Sequence, residues 1–336
     1  MSIGKANFML NIHSLYFKYP NQRAYVLQRI RFAIAKQELF AFVGASGSGK
    51  TTLLKLLSGQ LQLTKGRIDF QQQPLKGPNE MLIPGHPEIA LVAQDYALLP
   101  NHTVYENIEY HLREHTKSYI NKRIKELLQY FDLQNYRSKK PYELSGGQQQ
   151  KLALAKAISN EPKLLLLDEP FSHLDNIQKT AFKEELRRMK KNLDMAIILV
   201  THTMEDALSL ADQVFVLNKG KIIQQDDPEQ LYQFPENAYV AALTGNYNLI
   251  PSQFFNKIME VPPNTTQVGI RTSDIVIERK GPFKGTVRAV YFEGIYRIVD
   301  ITVAPNLNLQ SIVLKKQFKV GEKIRFSILK DAARFF

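Results

Sequence analysis

The loop from Gly44 to Thr51 combines residue types and a spacing that suit the binding of phosphate groups. It matches the pattern G-x-x-x-x-G-K-[ST], whose fixed positions are filled by Gly44, Gly49, Lys50 and Thr51. In such a loop the glycines let backbone N–H groups surround phosphate oxygens, the lysine reaches the terminal phosphates, and the hydroxyl binds Mg²⁺. The alternative is a glycine-rich turn that binds nothing. Because the apolar run Leu39–Val43 precedes the loop and a leucine-rich helical pattern follows it, we interpret the loop as a nucleotide-binding site.

Two adjacent carboxylates form a second group that can do chemistry. The run Lys163–Leu167 reads KLLLL, which is typical of a buried strand in a parallel sheet, and Asp168 and Glu169 follow it directly. Carboxylates at the end of a buried strand are costly unless they hold a metal or transfer protons. We therefore predict that Asp168 holds Mg²⁺, directly or through water, and that Glu169 polarises an attacking water. A solvated strand end is the alternative interpretation.

Two further polar residues also follow apolar runs. Gln94 comes after Ile89–Ala93, and His202 comes two residues after the end of Ala196–Val200. In open α/β sheets, ligands bind at the carboxyl ends of the parallel strands. This position makes Gln94 a candidate to ligate Mg²⁺ or place water, and His202 a candidate to contact a γ-phosphate. Taken alone, each residue is more often an ordinary loop or structural residue.

The segment LSGGQ, Leu144–Gln148, runs directly into the helical pattern QQQKLALAKAIS. Ser145 is a good N-cap for that helix, and the glycines after it allow close backbone approach, so the segment is a second potential anion site. An ordinary capped helix start is the alternative. Gly146 and Gly147 argue against it, because glycine is a poor helix former in the first turn.

Other elements must position these groups. The segment Asn11–Ala35 alternates apolar and polar residues around a turn, and Gly66–Phe70 reads as a short strand, which together predict an antiparallel strand layer. Helical spacing in Thr103–Leu112 and Lys117–Leu133 predicts helices. The second of these has an apolar stripe that we assign to core packing, made of Ile120, Ile124, Leu127, Leu128 and Phe131. Among the aromatic residues Tyr16, Phe17 and Tyr19, one ring either stacks on adenine or simply packs in a sheet core.

Composition limits the possible classes of protein. The 336 residues suffice for two domains, and the absence of cysteine excludes disulfides and thiolate metal sites. No apolar run approaches the roughly 18 residues that cross a bilayer, and the N-terminus lacks the apolar centre of a signal peptide. We therefore expect a cytoplasmic protein whose membrane role depends on a partner. The net charge of +12 favours anionic partners such as nucleotides, nucleic acid or a membrane surface.

Taken in order, these motifs resemble the ATP-binding subunit of an ABC transporter, and the resemblance extends over Ile12–Gly245. The matching motifs are GASGSGKTT (Walker A), Gln94 (Q-loop), LSGGQQQK (signature), LLLLDEP (Walker B), SHLD (D-loop) and VTH (H-loop). Small departures from the common pattern are His173, Lys151, Lys156 and Thr203-Met204. The resemblance implies an α/β fold, with a P-loop (RecA-like) core, an antiparallel β layer and a helical subdomain at about 95–160.

The resemblance also implies the ligands, ATP and Mg²⁺, and the residues that contact them. The implied catalytic residues are Glu169, His202 and Gln94. The implied metal ligands are Thr51, Gln94 and Asp168. The implied nucleotide contacts are Tyr19, Gly44, Ala45, Ser46, Gly47, Ser48, Gly49, Lys50, Thr51, Thr52, Ser145, Gly146, Gly147, Gln148 and Asp175.

The same resemblance implies the assembly. Two copies form a head-to-tail homodimer that sandwiches two ATP molecules, and Ser145–Gln148 of one copy contact the nucleotide bound by the other. Gln94 then couples the site to transmembrane permease subunits, which are separate chains. The expected location is the cytoplasmic face of the inner or plasma membrane, where the subunit is peripheral.

The remainder of the chain, 246–336, has short alternating segments separated by Gly, Pro and Asn, which predict a small all-β barrel. It resembles the OB-like TOBE domain of importer ATPases that handle polyamines, ferric iron, sulfate, molybdate or sugars. The segment Gly269–Arg271 with Asp274 resembles the opening of that domain, although Thr272-Ser273 replace the usual Pro-Glu. We therefore expect an ATP-binding domain at 1–245 and a barrel at 246–336.

The expected function is ATP hydrolysis that energises an ABC transporter, with the barrel favouring import of a small solute. One alternative is a soluble ABC ATPase that acts on ribosomes or nucleic acid through barrel aromatics such as Phe283, Tyr291 and Tyr296. A single cassette, the lack of a long heptad run and the lack of cysteine argue against that class, so nucleic acid is not an expected partner. Another alternative is an ATP-binding regulatory subunit whose barrel binds a small ligand or a protein.

Overall fold

A computed structural model describes residues 8–172, 174–255, 261–329 and 332–336. The first seven residues and His173 of the SHLD segment lie outside the described residues. Contacts divide the chain into two compact units, Met1–Glu229 and Gln230–Phe336. Within the described residues, none of the helices combines the length and apolar character needed to cross a membrane.

The first unit is built from two sheets and the helices around them. Its strands are β1 (Leu10–Phe17), β2 (Leu27–Ile34), β3 (Leu39–Val43), β4 (Lys65–Phe70), β5 (Gln73–Pro74), β6 (Ile89–Val92), β7 (Leu164–Asp168), β8 (Ala196–Thr201), β9 (Gln213–Asn218) and β10 (Lys221–Asp226). Its helices are α1 (Lys50–Leu57), α2 (Val104–Glu109), α3 (Lys117–Tyr130), α4 (Gly146–Ala157), α5 (Asn176–Asn192) and α6 (Met204–Leu210).

The six-stranded sheet has the order β10-β9-β3-β8-β7-β6. Strands β9, β3, β8, β7 and β6 are parallel, and β10 pairs antiparallel at the edge. All five residues of β3 and of β7 are buried, as expected for apolar strands covered on both faces. The parallel pairing brings the carboxyl ends of β3, β6, β7 and β8 to one edge of the sheet.

The predicted antiparallel layer is a four-stranded sheet with the order β2-β1-β4-β5. Strand β1 pairs with both β2 and β4, and the apolar residues of β1 and β2 that alternate with polar ones are buried. These side chains join one hydrophobic core with the leucines of α1 and with Phe42 and Phe215. The two phenyl rings are stacked, with centroids 4.6 Å apart.

The segment between β6 and β7 is helical. It contains α2, α3 and α4, together with 3-10 turns at Tyr110–Leu112, Gln134–Tyr136 and Pro141–Glu143. The apolar stripe predicted for α3 is buried, with Phe131 fully so. The predicted helix over Thr103–Leu112 is an α-helix only as far as Glu109 and ends in a 3-10 turn.

The second unit is mainly antiparallel β structure, preceded by short helices. Its elements are α7 (Pro228–Gln233), which begins just before the division, α8 (Ala238–Leu243), β11 (Tyr247–Pro251), α9 (Ser252–Phe255), β12 (Gln267–Arg271), β13 (Ile275–Ile277), β14 (Phe283–Phe292), β15 (Arg297–Ala304), β16 (Leu307–Val313), β17 (Lys323–Ile328) and β18 (Arg334–Phe335). A five-stranded sheet, β13-β17-β14-β15-β16, curves into a barrel-like layer, and β11-β12-β18 form a three-stranded sheet. The predicted combination of a P-loop α/β core and an OB-like β unit is confirmed.

Candidate functional site

The phosphate-binding loop lies between β3 and α1, where only glycine fits at several positions. A Cβ atom at Gly44 would lie 2.1 Å from the carbonyl oxygen of Leu217, so any side chain there would clash with β9. Gly47 and Gly49 have φ angles of 79° and 104°, which L-residues with side chains adopt only with strain. The glycine spacing seen in the sequence is therefore a requirement of this loop's backbone.

A cavity of about 500 Å³ opens beside this loop. Predicted site residues from four places in the chain line this cavity. These places are the loop with the start of α1 and the segments that follow β6, β7 and β8. The lining residues are Val26, Ser46, Gly47, Gly49, Lys50, Thr51, Thr52, Gln94, Glu169 and His202. The strand-end positions inferred from the sequence thus converge on one site.

Lys50 is buried and is held by its own loop. Its Nζ donates to the carbonyl oxygen of Gly44 at 2.8 Å and to that of Ala45 at 3.3 Å. The same atom lies 3.8 Å from Oε1 of Glu169. Burial lowers the pKa of Lys50, while the charges of Glu169 and Asp168 oppose that shift. A buried ammonium group surrounded in this way is placed to receive an anionic ligand.

Thr51 and Asp168 provide the oxygen atoms that a Mg²⁺ ion would require. The Thr51 hydroxyl donates to Oδ1 of Asp168 at 3.1 Å, and Gln94 lines the same cavity. Burial raises the pKa of Asp168, and the hydrogen bond from Thr51 only partly offsets that effect. Hydroxyl, carboxylate and amide oxygens are the ligand types that Mg²⁺ prefers, and a cation would relieve the cost of the buried carboxylate. The residues present therefore fit a magnesium ion.

Glu169 is fixed in an unusual backbone conformation, with φ of 48°. Its backbone N–H donates to the carbonyl oxygen of Val200 at 3.0 Å. Its Oε2 accepts from the backbone N–H of His202 at 3.3 Å and lies 2.8 Å from Nδ1 of the same residue. Two strand ends therefore orient this carboxylate into the cavity, where it is placed to accept a proton from a bound water.

Tyr19 and Asp175 lie outside the lining of this cavity. The Tyr19 hydroxyl is 3.1 Å from Oγ1 of Thr52, which does line it, and the Tyr19 ring packs edge-on against Phe17. Asp175 is the N-cap of α5, and its carboxylate accepts from the backbone N–H of Gln178 at 2.8 Å. In the phosphate-binding loop, Ser48 has a buried Oγ for which the described residues provide no hydrogen-bond partner.

The LSGGQ residues lie in a different place. Ser145 caps α4 in a capping box with Gln148, as its sequence indicates. Ser145, Gly147 and Gln148 line a separate cavity of about 290 Å³, which is also lined by Gln178 and Phe182 of α5. The described chain therefore does not bring these residues to its own phosphate-binding cavity.

One lining residue was not identified from the sequence. Val26 precedes β2 and faces the phosphate-binding cavity. A single valine at the start of a strand is indistinguishable from a core residue in sequence, so no local signal marks it. Only the pairing of β1 with β2 places it beside the loop.

Comparisons with known proteins agree with this geometry. Residues 27–172 match the family model described as ABC transporter. The "Spermidine/putrescine import ATP-binding protein PotA" of Borreliella afzelii is 33% identical over 95% of both chains. The protein of the same name from Clostridium novyi is 35% identical over 81% of this chain and 82% of its own length.

Solved structures show the same similarity. The structure of cbiO1 from Clostridium perfringens, part of the ABC transporter complex cbiONQ, superposes with a TM-score of 0.63 and 28% identity, covering 69% of this chain and 93% of its own. A dimeric ATP-binding cassette bound to ADP and Pi in a post-hydrolysis state superposes with a TM-score of 0.58 and 25% identity, covering 66% and 99%.

The buried carboxylate generates a prediction about stability. Because the pKa of Asp168 is raised by folding, ionisation of this group at pH 7 costs folding free energy, and the cost fades as the pH falls toward the ordinary carboxyl pKa. Asp168→Asn should therefore raise the thermal midpoint of the ligand-free protein at pH 7, by about 2 °C. Differential scanning fluorimetry measures this.

Asp194→Asn is a control, because the pKa of Asp194 is shifted in the opposite direction from that of Asp168. Hydrogen bonds from Gln37 and Lys163 lower the pKa of Asp194, so its replacement should not raise the midpoint. Added Mg-ATP should stabilise the wild type more than Asp168→Asn. An equal gain in both proteins would show that Asp168 is not a metal ligand.

Proposed function

The chain belongs to the ABC transporter family and is an ATP-hydrolysing subunit of that kind, and on this premise we propose that it serves the import of a polyamine. The observation that carries the proposal is the length of the similarity. Relatives named for spermidine and putrescine import align over 95% of this chain. The second unit is therefore included in the similarity as well as the ATPase core.

We infer that the cavity beside Lys50 holds the phosphates of ATP. The glycine loop and Lys50 bind the phosphates, and Thr51, Asp168 and Gln94 hold Mg²⁺. The ion neutralises phosphate charge when it is bound. Glu169 takes a proton from the attacking water, and its backbone and side-chain contacts with His202 keep the carboxylate aimed at that position. His202 contacts the γ-phosphate, and the ring of Tyr19, whose hydroxyl contacts Thr52, stacks on adenine.

We further propose that two copies of the chain complete the site. Ser145, Gly147 and Gln148 line a cavity of their own, apart from the phosphate-binding cavity of the same chain. A capped helix start with glycines in its first turn suits an anionic ligand. This arrangement supports a head-to-tail homodimer, in which these residues and Asp175 serve the nucleotide held by the other copy.

The subunit is peripheral to the membrane, and we propose that its permease docks at a cleft on the first unit. This cleft of about 450 Å³ is lined by His86, Leu91, His111 and Asn160, among others. Ile83 also lines the cleft, and both Ile83 and its neighbour Leu82 are almost fully exposed, which is unusual for large apolar residues. Strand β6 runs from the cleft to Gln94. Docking of a cytoplasmic helix of the permease at this cleft would thus act on the end of the strand that carries Gln94.

Replacement of the proposed base tests the catalytic part. Glu169→Gln should bind ATP as the wild type does but hydrolyse it at least about 100-fold more slowly, because the amide cannot accept the proton of water. Steady-state ATPase assays and equilibrium nucleotide binding measure the two effects. Glu205→Gln, on the exposed face of α6, is the matched control and should keep the wild-type rate.

The polyamine assignment is tested in cells that depend on this chain for uptake. In cells that carry Glu169→Gln, import of labelled spermidine or putrescine should be lost together with ATPase activity. A variant that hydrolyses ATP at the wild-type rate would refute the role of Glu169. If uptake of a sugar, iron or an anion is lost while polyamine uptake is unchanged, the assignment of a polyamine as substrate is wrong and the ATPase assignment stands.

The docking cleft is tested by affinity capture from detergent-solubilised membranes. Tagged Glu169→Gln protein with Mg-ATP should recover a polytopic membrane protein, and the added change Ile83→Ser should reduce recovery about tenfold, because it removes exposed apolar contact area. Val320→Ser, also at an exposed apolar position, is the control. Recovery of ribosomal proteins or DNA factors without a membrane protein would contradict the transporter partner.

A further inference from the structure

The turn that follows Gln94 has a strained backbone. Tyr96 and Ala97 have φ angles of 63° and 45°, in the left-handed region that residues with a Cβ adopt only at a cost. Neither residue is a glycine, and the two are consecutive. Such a conformation persists only where surrounding contacts hold it. Because Gln94 lies two residues before Tyr96, the contacts that hold this turn also constrain the backbone next to Gln94.

Two of these contacts fix the ends of the turn. At the start, the backbone N–H of Tyr96 donates to the carbonyl oxygen of Ala93 at 2.9 Å. At the far end, the fully buried side chain of Asn107 accepts from the N–H of Leu99 at 2.8 Å and donates to its carbonyl oxygen at 3.1 Å. Both ends are thus held by hydrogen bonds to neutral groups.

The middle of the turn is held by a charged group from another element. Lys156, in the last turn of α4, donates from Nζ to the carbonyl oxygen of Ala97 at 2.6 Å. Lys151 on the same helix pairs instead with the carboxylate of Asp132 at 3.4 Å. A hydrogen bond from an ammonium group to a carbonyl is stronger than one between neutral groups, especially where water is partly excluded. Burial also lowers the pKa of Lys156.

The position of Lys156 connects three parts of the first unit. Its helix, α4, is capped by Ser145 and carries LSGGQ residues in its first turn. Its ammonium contacts the turn behind Gln94. Its charge also acts on His111, where burial first and the Lys156 charge second lower the pKa. Because His111 lines the proposed docking cleft, the side chain of Lys156 extends from the LSGGQ helix to the Gln94 turn and acts on a residue of that cleft.

We propose that Lys156 is the positioning residue that holds the strained turn behind Gln94 to the helix that carries the LSGGQ residues. The inference rests on the proposed role of Gln94 at the nucleotide. Lys156 does not contact the reacting atoms. It acts through the carbonyl of Ala97, so that a shift of α4 is transmitted to Gln94 and to the metal site that Gln94 serves.

Removal of the ammonium group tests the proposal. In Lys156→Met, which keeps most of the aliphatic chain, the Mg²⁺ concentration for half-maximal ATPase activity should rise about tenfold and kcat should fall by a similar factor. ATP binding without Mg²⁺ should be unchanged. Lys156→Arg retains a charged donor and should restore both parameters to within about threefold of wild type. The control Lys125→Met, at an exposed position of α3, should have neither effect.

A second variant separates positioning from a general loss of stability. Glycine adopts a positive φ without strain, so Ala97→Gly should let the turn form without the lysine. The double variant Lys156→Met/Ala97→Gly should therefore have the wild-type Mg²⁺ requirement. If Lys156→Met alone does not fold, the double variant is compared directly with the wild type. Failure of Ala97→Gly to relieve the defect would overturn the proposal.

The last comparison uses Gln94 itself. In a Gln94→Ala background, Lys156→Met should add no further increase in the Mg²⁺ requirement, because the residue through which it acts is gone. Additive effects of the two changes would refute the inference. If wild-type activity depends on Glu169 while Lys156→Met behaves as wild type, the positioning role fails and the proposed function stands.

Discussion

The parallel pairing of β3, β8 and β7 is the constraint on which the site depends. Val43 lies opposite Thr201, and Asp168 lies opposite Val200, so these three strands end at the same level. The loop after β3, the carboxylates after β7 and the histidine after β8 must then meet. A shift of one residue in any pair would exchange the two buried faces of a strand and move the functional side chains apart. The apolar content of β3, β7 and β8 therefore fixes the site as well as the core.

Electrostatics favour a charged ligand at this edge. Lys50 is buried beside Glu169 and Asp168, and burial works against the charged forms of Lys50 and Asp168. Hydrogen bonds from Thr51 to Asp168 and from Lys50 to loop carbonyls offset part of that cost. Phosphate and Mg²⁺ would supply the remaining counter-charges. Phosphate alone would compensate only the lysine, and Mg²⁺ alone would compensate only the carboxylates. The site therefore favours binding of phosphate and Mg²⁺ together.

Residue types and spacing predicted most of this site, because the chemistry is local in sequence. The phosphate loop, the carboxylates after an apolar strand and the cap at Ser145 each carry their signal within a few residues. Contacts between distant segments carry no such signal. The 2.8 Å contact between Glu169 and His202 depends on strand register, and the place of Val26 depends on pairing within the antiparallel sheet. The bond from Lys156 to Ala97 joins two elements that a sequence shows only as separate patterns.

Three of the residues with positive φ lie where the chain leaves the sheet toward the cavity. Glu169 follows β7 with φ of 48°, and Tyr96 and Ala97 follow β6 with φ of 63° and 45°. Each has a side chain or neighbour that the proposed chemistry uses, and none is a glycine that would adopt this conformation freely. The parallel strand pairs, which are hydrogen-bonded along their length and buried, hold the ends from which these turns begin. Strain also makes these turns responsive, since a small loss of support from α4 or from the His202 segment allows them to relax. The turns that the fold constrains most tightly are thus also those that a shift of α4 or of the His202 segment would affect most.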